Sequence, residues 1–72
     1  MIDKLIEALE EARASNQKLR AVYKEVIDKA YVDEQPDTYA HYYKLDWDLL
    51  HTVCDINVEL ETLKLKLKEQ GS

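Results

Sequence analysis

Glycine and proline occur only once each in this 72-residue sequence, as Gly71 and Pro36. A sheet of short strands needs turn residues every ~8–12 positions, and this chain has almost none to offer. Glu, Lys, Leu and Ala are abundant and phenylalanine is absent, a composition that favours long helices. The chain is therefore expected to be all-α, with its one proline near the middle marking the only break.

Helical periodicity is visible on both sides of that break. In the first half, apolar side chains fall at Ile2, Leu5, Leu9, Ala12, Leu19, Tyr23, Val26 and Ala30. The steps alternate between three and four, which traces one face of a helix. Ile6, Val22 and Ile27 widen this stripe, and Asn16 takes its one vacant slot. Asp3 and Glu7 suit the positive end of a helix dipole. In the second half the stripe resumes with Tyr39, Tyr42, Leu49, Val53, Ile56, Leu60, Leu63 and Leu67, with Asp46 in its missing slot. Lys64, Lys66 and Lys68 suit a helix C-terminus, and Gly71 is the natural stop.

Between the stripes lies VDEQPDT, residues 32 to 38. Proline disfavours helix in the residue before it and is accepted in a first turn. Asp33, Asp37 and Thr38 are candidate N-caps. The sequence thus predicts a single domain over residues 1–72, with helix 1 over about 2–32, a turn at about 33–36 and helix 2 over about 37–68. So short a connection makes the helices antiparallel neighbours.

A lone hairpin does not account for all the apolar residues. Beside the main stripe of helix 2 runs a second sector of Tyr43, Trp47, Leu50, Cys54, Val58 and Leu65. Together the two span well over half the helix circumference. A surface helix usually carries a stripe little wider than ~100°, and one neighbouring helix covers only that much. A chain of this size also sits near the lower limit for a stable core, and Cys54, the only cysteine, rules out an internal disulfide. The hairpin is therefore expected to be completed to a four-helix bundle, by dimerisation or by a partner chain. Tyr43, Trp47, Leu50, Cys54 and Val58 are the expected protein-interface residues, with Cys54 acting there as a buried small hydrophobe. Tyr39 and Tyr42 are assigned to the hairpin core.

Asn16, Asp46 and Arg20 form the expected polar seam. A polar residue in a helical seam lowers stability but fixes register and oligomeric state. A buried Asp46 would need Arg20, Lys24 or a tyrosine hydroxyl as partner; the competing reading leaves Asp46 at the solvent edge.

Charge is unevenly distributed. Residues 1–32 carry six acids and six bases, residues 33–61 eight acids against Lys44 alone, and residues 62–72 three lysines and one acid. The net −7 of the middle block disfavours nucleic acids and anionic membranes as partners. The start, MIDKLIEALEE, is charged from its third residue and has neither a signal peptide's apolar stretch nor a membrane span. With the single cysteine it points to the cytoplasm of the source cell or of an infected host cell.

Catalytic and metal-binding constellations are thin. His51 and Asp55, and Asp37 and His41, are spaced i, i+4, but neither pair recruits the three or four ligands a metal needs, so no metal and no cofactor are expected. Glu7 with Glu10 and Glu25 with Asp28 form ExxE and ExxD pairs. The pattern resembles the carboxylate pairs of all-helical, magnesium-dependent nucleotide pyrophosphohydrolases of the MazG type. That resemblance implies motifs on facing helices, whereas both pairs here lie on helix 1. Cys54 has no triad around it, and one glycine makes no phosphate loop.

The sequence thus points to a non-catalytic protein–protein interaction module, an acidic helical regulator, inhibitor or adaptor that binds through the Trp47 face. A structural homodimer is the alternative: two hairpins in one bundle, similar to plasmid-copy regulators of the Rop type, without their RNA role. An acidic DNA mimic is a weaker third reading.

Overall fold

The computed structural model describes residues 1–71 and consists of two helices, α1 (Ile2–Val32) and α2 (Pro36–Gly71). Arg20 reaches Asp46, Arg13 reaches Asn57 and Glu10 reaches Lys64. Partners move forward on α2 as they move back on α1, so the helices run antiparallel along their length. The hairpin is a rod of 57 × 14 × 13 Å measured over Cα atoms. The expected all-α hairpin is the architecture found.

The turn is shorter than expected, residues 33–35 alone, and it is built by the end of α1. Gln35 N–H donates to Ala30 O at 2.9 Å and Glu34 N–H to Tyr31 O at 3.3 Å. These two bonds make a Schellman motif, which requires a left-handed residue after the helix. Glu34 is that residue, at φ 54°. A side chain there costs ~1–2 kcal/mol that glycine avoids, partly offset by glycine's greater freedom when unfolded. Glu34→Gly should therefore raise stability by about 0.5–1 kcal/mol, read as a higher urea midpoint with unchanged slope. A lower midpoint would mean that the Glu34 side chain contributes more than its backbone strain removes.

None of Asp33, Asp37 and Thr38 serves as the N-cap of α2. The helix begins at Pro36, where a missing N–H and a fixed φ are harmless. Tyr39 N–H bonds Gln35 O at 3.0 Å, and Asp37 lies in the first turn, where its charge suits the dipole. At the far end α2 runs through Gly71 instead of stopping before it.

The buried core is small: Ile6, Ile27 and Ala30 from α1, Val53 and Leu60 from α2. Ala30, Val53 and Leu60 belong to the expected stripes, and Ile6 and Ile27 to the expected widening of the α1 stripe. On α1 the helix is rotated from its expected setting. Leu5 and Leu19 are 44% and 41% exposed, and Val22, expected to widen the buried stripe, is 52% exposed. The line Ile6, Arg13, Arg20, Ile27, with seven residues per step, faces α2 instead. Isoleucines at its two ends are buried, and arginines at its centre reach across to polar partners. Tyr39 and Tyr42 are half-buried, not fully enclosed.

Candidate protein-binding face

The rotation of α1 creates a polar edge. Arg20 donates from Nε to Asp46 Oδ1 at 3.0 Å and from a terminal nitrogen to Oδ2 at 3.4 Å. With side chains 21% and 16% exposed, this is a two-pronged bridge at the rim of the seam. Asp46 is therefore held at the seam, and its partner is Arg20 rather than Lys24 or a tyrosine. Further along, Arg13 donates to Asn57 Oδ1 at 2.9 Å, and Lys64 meets Glu10 at 3.3 Å near the open end. Asn16, expected to act in the seam, is half-buried; the arginines of the neighbouring line make the cross-helix contacts. The rung from Arg13 to Asn57 spans 44 residues, and neither residue stands out in the sequence.

Beyond this edge lies the Trp47 face. In an antiparallel pair, a step forward in sequence turns both helices toward the same edge, by ~100°. Trp47 follows Asp46 and so lies past the polar edge, away from α1. Tyr43, Trp47 and Val58 are 53%, 52% and 65% exposed. Leu50, nearer the seam, is half-buried. The Cys54 thiol is exposed, on the side of α2 that α1 leaves uncovered; its expected burial is one that a second chain would have to supply.

The aromatic rings form one row. Tyr31 and Tyr39 are 6.3 Å apart between ring centroids; Tyr39 stacks on Tyr43 at 5.9 Å with planes 17° apart. Tyr43, Lys44 and Trp47 border a shallow hollow of about 340 Å³, and Trp47 meets His51 edge-on at 5.1 Å. A second hollow, about 430 Å³, lies at the turn between Tyr31, Pro36 and Tyr39. The row brings in Tyr31 and His51, which were not assigned to the interface, and Tyr39, which was assigned to the core. The signal was in the sequence: Tyr39, Tyr43, Trp47 and His51 follow at i, i+4, the spacing that aligns side chains on one helix face.

The carboxylate pairs do not converge. Glu7, Glu10, Glu25 and Asp28 are all exposed, and the 18 residues from Glu7 to Glu25 span ~27 Å of helix. His41 and His51 are exposed, and His41 stands edge-on to Tyr42 at 5.0 Å. Among the described residues no three His, Cys, Asp or Glu side chains are grouped to hold a metal ion, and no helix is long and apolar enough to cross a membrane. The chain matches no protein-family model, and no curated protein or solved structure resembles it at a significant level.

Proposed function

We propose that this chain is a non-catalytic protein-interaction module, a small acidic regulator or adaptor that binds another protein through the aromatic row centred on Trp47. The observation that carries the reading is the row itself: Tyr39, Tyr43, Trp47 and His51 at one helical spacing on α2, with Tyr43 and Trp47 half-exposed and Tyr39 stacked on Tyr43. Tyrosine and tryptophan give large contact area with few rotatable bonds, and they dominate binding hot spots. Asp48, Asp55 and Glu61 are exposed on the same helix, so a partner with an apolar groove and a basic rim fits best. Such charges mainly raise the association rate and reject acidic competitors.

Trp47→Ala tests this directly. Because Trp47 is half-exposed, its loss should change the stability of the chain by only about 0.5–1 kcal/mol. Affinity for the partner should fall by about 2 kcal/mol or more, roughly 30-fold. Trp47 is also the only tryptophan, so its emission should move to shorter wavelength and resist acrylamide quenching when a purified partner binds. Equal affinity of the variant, or an emission unmoved by binding, would remove the aromatic row as the contact.

A further inference from the structure

We propose that two copies of this chain associate through α1, running antiparallel, along a stripe formed by Leu5, Ala8, Ala12, Ser15, Leu19 and Val22. The spacing is three, four, three, four, three, the repeat of a coiled-coil seam, and Val26 continues it. Leu5, Ala8, Ser15, Leu19 and Val22 are exposed, and Ala12 and Val26 are half-buried. This is the apolar stripe that rotation of α1 releases when Arg13 and Arg20 turn toward α2. Its small residues, Ala8, Ala12 and Ser15, allow a second helix to approach closely. The inference is independent of the Trp47 reading. Leu19 precedes Arg20 and Trp47 follows Asp46, so the two faces lie beyond opposite edges of the hairpin.

Charge identifies the occupant. Flanking the stripe is the seven-residue line Lys4, Glu11, Lys18, Glu25, all four exposed and none in an ion pair among the described residues. In an antiparallel coiled coil this flanking line meets itself. Lys4 then faces Glu25 of the second copy, and Glu11 faces its Lys18, so every contact pairs opposite charges. A parallel pairing would set this line against Leu9, Asn16, Tyr23 and Ala30 of the second copy, where no charge answers it. The apolar positions also match, because the same register layers Leu5 with Val22 of the second copy and Leu19 with its Ala8.

The exposed area fits a dimer. The chain presents 5719 Å² to solvent. A compact folded monomer of 8.5 kDa presents about 4,700 Å², so roughly 1,000 Å² stands in excess. A stable interface takes about 800 Å² from each partner. Association through α1 leaves both Trp47 rows facing outward, which makes the dimer bivalent.

The test is a charge swap on exposed residues that the hairpin does not use. Light scattering after gel filtration at micromolar concentration should give twice 8.5 kDa for the wild-type chain. Lys4→Glu with Lys18→Glu makes the line wholly acidic, and Glu11→Lys with Glu25→Lys makes it wholly basic. Each doubly substituted chain alone should associate at least about tenfold more weakly, with helical circular dichroism retained, and an equimolar mixture of the two should restore the dimer. A monomeric wild-type chain, variants that dimerise like wild type, or a mixture that stays monomeric would overturn the proposal. So would a dimer that Trp47→Ala dissolves and the charge variants leave intact.

Discussion

Leu60→Ala should remove a large part of the stability of the hairpin. Leu60 is the most deeply buried large side chain, 2% exposed. Truncating a core leucine costs ~2–5 kcal/mol, from lost burial and from the cavity left behind. At ~0.05–0.15 kcal/mol per residue, a chain this short has only ~4–11 kcal/mol in all. Among the described residues five apolar side chains are buried, so few neighbours are available to close the gap. Chemical unfolding followed by circular dichroism should show a sharply lower midpoint, and at the upper end of the range the variant will be largely unfolded at 25 °C. A loss below about 0.5 kcal/mol would show that Leu60 is not enclosed as described.

Removing Arg20 should cost nearly as much, for a different reason. Arg20→Ala leaves Asp46 at the seam, 16% exposed, without the guanidinium that satisfies both its oxygens. Losing hydrogen bonds to a charged group in such a setting costs ~1.5–3 kcal/mol. The decisive comparison is the pair Arg20→Met with Asp46→Leu. Replacing both members of a charged pair with apolar residues is often neutral or stabilising, so this double variant should be at least as stable as wild type while each single substitution is destabilised. Side chains this close should give a clear coupling energy in a double-mutant cycle. If the single losses simply add, the bridge is a solvated surface pair and does not fix the rotation of α1.

That rotation separates the two apolar faces. With the line Ile6, Arg13, Arg20, Ile27 against α2, the seam gains a polar edge and the stripe through Leu5 and Leu19 is left exposed. Had α1 turned by one line, Leu5 and Leu19 would have joined the core and the arginines would have stood in water. The observed setting leaves two faces uncovered, the stripe through Leu5 and Leu19 on α1 and the Trp47 row on α2.

The sequence legibly predicts the two helices and the break at Pro36. It also predicts the setting of α2, whose main stripe supplies the buried Val53 and Leu60. The second apolar sector of α2 was readable from spacing alone, and the i, i+4 series of rings from Tyr39 to His51 was equally readable. Cys54 is exposed on that same sector, the face that α1 leaves uncovered. The setting of α1 was not legible, since the line Leu5, Ala12, Leu19, Val26 is apolar throughout whereas the line that faces α2 carries two arginines. The choice depends on Arg20 meeting Asp46 and Arg13 meeting Asn57, partners 26 and 44 residues away. Local periodicity determined which residues are helical and where the chain turns, because those follow from contacts within a few residues. Only the tertiary structure decided which side of α1 is inside, because that depends on polar groups satisfied across the seam.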